Sequence, residues 1–187
     1  IGTDIYIPFV KTYINLPIWL YIPFSVIVML AATNAVNLTD GIDGLATSVT
    51  TIILTCLTVI SIVWEIKETT IFGCIIIGAA LGFLLFNLHP AQIFMGDTGS
   101  LLLGGAIAGI SLYLKLPLLL IIIAIIPVIE TISVIIQVTY FKKTGKRVFK
   151  MTPIHHHFEL CGWNENKIVS IFSLITLIMS MVGIMII

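Results

Sequence analysis

The sequence predicts an all-α protein, a polytopic membrane helix bundle with six transmembrane helices. Hydrophobic residues make up 59% of its 187 residues and charged residues only 10%, whereas about a quarter of a soluble domain is charged. Charge-free runs recur at about the 20-residue length that a helix needs to cross a bilayer. Because a spanning segment must satisfy its own backbone, and these runs do not alternate like barrel strands, we expect helices.

The first three spans are predicted over residues 17–36, 45–64 and 70–88. Each lies within a run that contains no charged residue. Pro90 ends the third span, because proline lacks the N–H that a continuing helix needs.

The last three spans are predicted over residues 100–115, 117–140 and 168–187. Only Lys115 and Pro117 separate the fourth span from the fifth. The fifth contains one charged residue, Glu130, shortly after Pro127. An intramembrane carboxylate is a candidate functional group, but the preferred interpretation of Glu130 is structural, at a proline kink.

Six spans place three loops, residues 37–44, 89–99 and 141–167, on one side of the membrane. That side carries six of the nine basic residues, so the positive-inside rule makes it cytoplasmic and both ends of the chain face outward. The chain begins at Ile1 without a signal-peptide pattern. We therefore expect it to be the C-terminal part of a longer membrane protein.

The first loop carries polar residues at a spacing of three. Asn37, Asp40 and Asp43 follow the first span, and Gly41 would let a ligand approach the backbone. A plain turn also uses aspartate and glycine. Two amides and two carboxylates within ten residues, counting Asn34, exceed what a turn requires and favour a functional loop.

The second loop, FNLHPAQIFMGDTGS, places Asp97 at the start of the fourth span. A helix N-cap would explain Asp97 alone. The same position creates an anion site in which a carboxylate holds Mg²⁺ against a phosphate. A cap does not explain Asn87, His89, Gln92 and Phe94 beside it.

The third loop combines a basic run with His155, His156 and His157. Most of the basic residues are explained by membrane orientation and attraction to anionic lipid. Three successive imidazoles cannot all face one zinc ion, but they can donate to phosphate oxygens or move protons. With the carboxylates of the other two loops, they predict a site for a phosphorylated substrate and Mg²⁺ at the membrane surface. The balance of nine basic and nine acidic residues excludes a basic nucleic-acid-binding protein.

Four segments closely resemble the phospho-N-acetylmuramoyl-pentapeptide-transferase family. They are NAVNLTDGIDGLA (34–46), FNLHPAQIFMGDTGSLLLGG (86–105), PVIETISVIIQV (127–138) and PIHHHFELCGW (153–163). The wider superfamily of polyprenyl-phosphate N-acetylhexosamine-1-phosphate transferases shares the aspartate-rich loops. The PIHHHFE string points to the muramoyl-pentapeptide branch.

The resemblance implies a bacterial plasma-membrane enzyme of ten spans with a cytoplasmic active site. It implies transfer of phospho-MurNAc-pentapeptide from UDP-MurNAc-pentapeptide to undecaprenyl phosphate, which forms lipid I and UMP for peptidoglycan. Members of the family often form homodimers. The adjacent Asp-Asp pair of the family does not occur in this sequence, so we expect the general base or nucleophile to lie outside it and the chain alone to be inactive.

The resemblance also assigns roles to individual residues. Asp97 is the expected Mg²⁺ ligand, and Asp40 and Asp43, with Asn37, line the nucleotide-sugar side. The expected uridine pocket consists of Gly41, Ile42, Asn87, Phe94 and Gln137. His155 and His156 are expected to contact phosphate or sugar, and His157 to position their loop.

Two alternatives stay open. A related transferase that moves GlcNAc-1-phosphate would share the aspartate-rich loops. An ion-coupled transporter would also gather carboxylates, but near the bilayer midplane, where the sequence places only Glu130.

Overall fold

In a computed structural model, which describes residues 2–187, the apolar runs form helices that pack side by side. A short antiparallel hairpin precedes them. The elements are β1 (Asp4–Ile7), β2 (Thr12–Asn15), α1 (Ile18–Thr39), α2 (Leu45–Val63), α3 (Lys67–Asn87), α4 (Gly96–Tyr113), a 3₁₀ turn (Pro117–Leu119), α5 (Leu120–Ile123), α6 (Ile125–Thr144), α7 (Ile154–Glu159) and α8 (Glu165–Ile186). The predicted all-α membrane helix bundle is confirmed.

Five of the described helices, α1, α2, α3, α6 and α8, are long and apolar enough to cross a membrane. Helix α4 has 18 residues, and polar residues fill its first turn, GDTGS. It nevertheless packs within the bundle, against α1, α2 and α3. The predicted count of six spans is therefore approximate.

The apolar run 117–140, which the sequence predicts as one span, is divided in the structure. A 3₁₀ turn leads into the four-residue helix α5, which ends at Ile123, and α6 then runs from Ile125 to Thr144. Pro127 lies in the first turn of α6, where a missing N–H is tolerated; in a continuous helix its ring would clash with the carbonyl of Ile123. The proline thus explains why a new helix begins at this point.

Helix α2 is the centre of the bundle. Its core side chains Leu45, Val49, Ile53, Leu54 and Leu57 are fully buried. It packs against α3 on one side and α8 on another, while α1 packs against α4 and α6. Because α2 is surrounded by neighbours, it fixes the relative positions of the loops at its two ends.

The hairpin closes one end of the bundle. The Asp4 carboxylate lies 2.7 Å from the Lys115 ammonium group, and the Tyr6 N–H donates to the Lys115 carbonyl at 2.8 Å. The Tyr6 hydroxyl also donates to the carbonyl of Ile187 at 3.3 Å. The two chain ends and the α4–α5 connection therefore share one end of the molecule, and the α1–α2, α3–α4 and α6–α8 connections meet at the other.

Candidate active site

The last turn of α1 lies beside the first turn of α4, and polar side chains join the two. The Asn37 amide nitrogen donates to the Asp97 carboxylate and to the Ser100 hydroxyl, each at 3.0 Å. Ser100 in turn donates to the Gly96 carbonyl at 3.1 Å. These contacts bring the predicted residues Asn37 and Asp97 together from two loops that are distant in sequence.

Asp40 follows α1 and faces the same helix terminus. Burial raises the pKa of the Asp40 carboxyl above its ordinary value, the negative charge of Asp97 raises it further, and a hydrogen bond from the Gly96 backbone opposes both. Gly96 adopts a φ of 63°, a left-handed conformation that glycine accepts without strain. Two carboxylates are thus crowded together where a cation would relieve their repulsion.

Asp43 belongs to a second cluster on the same face. Its carboxylate accepts a hydrogen bond from the Ala91 N–H at 2.9 Å and lies 3.1 Å from the His89 Nδ1 atom. The same nitrogen is 3.3 Å from the Glu165 carboxylate at the start of α8. His89 therefore joins the α1–α2 loop, the α3–α4 loop and α8 into one cluster of polar contacts.

Sequence reasoning assigned no role to His89 or Glu165. His89 stands in the second motif, among the polar residues that a helix cap does not explain. Glu165 directly follows Asn164, whose side chain caps α8 by accepting from the Asn166 N–H. A carboxylate at a helix start is ordinarily a dipole partner, so local sequence gives no signal for its contact with His89.

The histidine loop packs beneath the α1–α2 loop. His155 is fully buried, and its ring lies against Gly41, where an added Cβ would overlap the Nε2 atom. The Nδ1 atom of His156 pairs with Glu159. The Nδ1 atom of His157 accepts from the Lys150 N–H at 3.1 Å. The structure therefore brings His155 to the aspartate loop, while the contacts described for His156 and His157 lie within their own segment.

The residues expected to form a uridine pocket occupy different environments. Asn87 is buried, accepts from the Thr47 hydroxyl at 2.7 Å and donates to the Ile93 carbonyl at 3.0 Å. Ile42 is buried in the core. Phe94 is 76% exposed at the loop surface.

Gln137 is also engaged with backbone. Its side-chain oxygen accepts from the N–H groups of Val148 and Phe149, both at 3.0 Å, and its nitrogen donates to the Phe149 carbonyl at 3.3 Å. The amides of Asn87 and Gln137 thus each hold a loop in place. Their contacts with a nucleotide stay predictions.

Carboxylates, imidazoles and a helix N-terminus thus meet at one end of the helix bundle, and the family match identifies the class of protein. The chain belongs to glycosyl transferase family 4, whose sequence profile matches residues 2–115. The family match covers the hairpin and helices α1 to α4, and so includes both aspartate-rich loops.

The relatives that match nearly the whole chain are phospho-N-acetylmuramoyl-pentapeptide-transferases. Their identity confirms the resemblance inferred from the four motifs. The chain is 60% identical to that of Clostridium botulinum (strain Eklund 17B / Type B) over 98% of its own length and 56% of the relative's. It is 58% identical to that of Clostridium acetobutylicum, over 97% of its own length and 57% of the relative's. It is 59% identical to that of Clostridium beijerinckii, over 98% of its own length and 56% of the relative's. The chain thus spans a little more than half the length of these relatives.

Proposed function

We propose that the protein that contains this chain is a Mg²⁺-dependent phosphoglycosyl transferase of bacterial cell-wall synthesis. It transfers phospho-MurNAc-pentapeptide from UDP-MurNAc-pentapeptide to undecaprenyl phosphate, with UMP as the second product. The names of the relatives support the transferred group, phospho-N-acetylmuramoyl-pentapeptide. The chain contributes three of the loops that bind them.

The contact of Asn37 with Asp97 is the observation that carries this proposal. It joins two of the polar loops at one end of a membrane bundle, at a distance of 3.0 Å. The contact of His155 with Gly41 adds the third loop at the same end. Such a position lets a lipid phosphate reach polar groups while its hydrocarbon tail stays in the bilayer.

The donor set fits Mg²⁺. Asp97 and Asp40 offer carboxylate oxygens and Asn37 an amide oxygen, and Mg²⁺ prefers oxygen ligands. Burial raises the pKa of the Asp40 carboxyl and the Asp97 charge raises it further, and a bound cation would oppose both effects. When bound, Mg²⁺ would neutralise phosphate oxygens and so reduce the repulsion between the two anionic substrates.

Side chains of the three polar loops bind and orient the substrates for an in-line displacement. An oxygen of the lipid phosphate attacks the sugar-linked phosphorus of the UDP donor, and the bond from that phosphorus to the bridging oxygen breaks as UMP leaves. One pyrophosphate bond is broken and one is formed. Positioning and charge neutralisation are therefore the main tasks of the protein.

Three features of the site support binding of the nucleotide-linked donor and the lipid. The segment from Lys142 to Lys150 carries five basic residues at the same end of the bundle, which attract the anionic donor and lipid. The exposed Phe94 ring presents a flat face on which a uracil base can stack. Asp43, held by Ala91 and His89, adds an acceptor for the sugar or ribose hydroxyls.

The Asp97→Asn variant of the complete protein tests the proposal. We expect UMP release to fall by roughly 100-fold or more, because the charge that pairs with the cation is lost. Asp4→Asn is the matched control, since it makes the same change at the opposite end of the bundle and should retain activity. Near-normal turnover of Asp97→Asn would contradict the proposed role.

The choice of donor separates the alternatives. UMP release with UDP-MurNAc-pentapeptide but not with UDP-GlcNAc supports the proposed substrate. Release with UDP-GlcNAc alone would instead support a GlcNAc-1-phosphate transferase. Ion flux across vesicles without UMP release would support a transporter.

A further inference from the structure

A carboxylate and an imidazole lie together in the interior of the bundle. Glu130 of α6 and His155 of α7 are both 0% exposed. The Glu130 Oε1 atom lies 3.1 Å from the His155 Nδ1 atom, and the Oε2 atom accepts from the His155 backbone N–H at 3.4 Å. One carboxylate therefore contacts both the ring and the backbone of the same residue.

Burial makes this pairing energetically important. An isolated carboxylate in a low-dielectric interior is strongly destabilising unless it is paired. The Nδ1 contact has the distance of an ion pair, although its angle is not that of a hydrogen bond. His155 is the partner that the described residues offer to Glu130, so the carboxylate determines where the first turn of α7 docks on α6.

The opposite edge of the imidazole reaches the aspartate loop. The His155 Nε2 atom is buried and has no hydrogen-bond partner within residues 2–187. It lies so close to Gly41 that a Cβ there would overlap it. The rigid ring thus separates α6 from the loop that carries Asp40 and Asp43, and its orientation fixes their spacing.

We infer that Glu130 is a positioning residue of the site: through the His155 ring, it sets the loop that carries Asp40 and Asp43. This inference rests on the proposed function insofar as that loop binds substrate. It assigns Glu130 a task other than satisfying a kink at Pro127. If the pair only filled space, the position of the loop would depend on the volume of the Glu130 side chain and not on its charge.

The imidazole protonation pattern gives a test that needs no catalytic activity. In the ¹⁵N-histidine-labelled chain in detergent, we expect the His155 Nδ1 atom to carry a proton towards Glu130. Glu130→Gln keeps the volume but removes the charge, and should shift the proton population towards Nε2. Ser133→Ala is the matched control, because Ser133 is a buried residue of α6 whose hydroxyl donates only to the Glu130 carbonyl. An unchanged His155 pattern in Glu130→Gln would overturn the inference.

A double-mutant cycle in the complete protein tests the effect on turnover. Glu130→Gln should lower kcat by about 10- to 100-fold, because loss of the charged contact with His155 lets the loop that carries Asp40 and Asp43 shift, and a small misplacement of binding groups costs up to about 100-fold in rate. In a His155→Ala background the same substitution should cost about twofold or less, because Glu130 acts through His155. Independent losses in the two backgrounds would contradict the inference. If the wild-type protein shows no transferase activity, the proposed function fails, while the protonation pattern still decides the role of Glu130.

Discussion

At Gly41, the neighbouring imidazole leaves no room for a side chain. The ring of His155 occupies the position that a Cβ would take. Glu130 holds that ring, so it cannot move aside as a flexible side chain would. The requirement for glycine at this position is therefore one of space.

Gly41→Ala should lower the stability of the chain by about 1–3 kcal/mol, the usual cost of overpacking. Thermal unfolding in detergent measures the loss. Gly78→Ala is the control, because no atom lies within 4 Å of its added Cβ. The loss should shrink in a His155→Ala background, and equal losses in both backgrounds would contradict the steric explanation.

Phe94 allows a separate test of nucleotide binding. Its ring is largely exposed, so removing it leaves the core intact. Phe94→Ala should raise KM for the UDP donor by about 10-fold, as expected for loss of one base-stacking contact, and leave KM for the lipid unchanged. Steady-state kinetics with each substrate varied in turn make the comparison. Equal changes in both constants would contradict stacking on uracil.

At the scale of elements, apolar runs predict where helices form because a bilayer requires internally satisfied backbone. They do not predict where a run breaks: Pro127 could lie within a kinked span or, as observed, in the first turn of a new helix. The hairpin was not predicted either. Its contacts come from Lys115 and Ile187, which are distant in sequence.

The candidate site shows the same division between local and distant information. Motif spacing identified Asn37 and Asp97, because each stands in a polar loop next to an apolar run. It did not identify the pairing of Glu165 with His89, which depends on how α8 packs. Gln137 illustrates a further difficulty: a buried amide has the same sequence signature whether it holds a loop or a ligand.

The hairpin contact gives a prediction for pH. The hydrogen bond from Lys115 holds the pKa of Asp4 below its ordinary value of 3.8, with a further contribution from Asn15. A carboxylate whose pKa is lower in the folded state than in the unfolded state stabilises the fold at pH values above its unfolded-state pKa. This stabilisation is lost as the pH falls through the folded-state pKa. The hairpin should therefore stay docked at neutral pH and loosen only below about pH 3.8.

NMR titration of the Asp4 carboxyl checks this directly. Lys115→Met should raise its midpoint towards 3.8 and speed hydrogen exchange of the Tyr6 N–H, which donates to the Lys115 carbonyl. Lys11→Met is the matched control, because it removes the same charge from the turn of the hairpin and leaves the Asp4–Lys115 ion pair in place. Identical Asp4 midpoints in the two variants would show that the ion pair does not determine the shift.

For the whole molecule, the fold separates two ends with different chemistry. One end carries the hairpin and both described chain ends. The other carries the aspartate and histidine loops and most of the basic residues. A UDP-linked donor is made in the cytoplasm, so the proposed reaction requires the second end to face inward, as the positive-inside rule also predicts.

Cysteine accessibility tests this orientation. Cys161 is exposed in the histidine loop, and Thr12→Cys introduces a thiol on the exposed face of β2 at the other end. With Cys56 and Cys74 replaced by alanine, a membrane-impermeant maleimide on intact cells should label the hairpin cysteine and spare Cys161. Permeabilisation should then expose Cys161. The reverse pattern would place the carboxylates outside, where no nucleotide-linked donor reaches them, and would exclude the proposed reaction even though the three loops still meet.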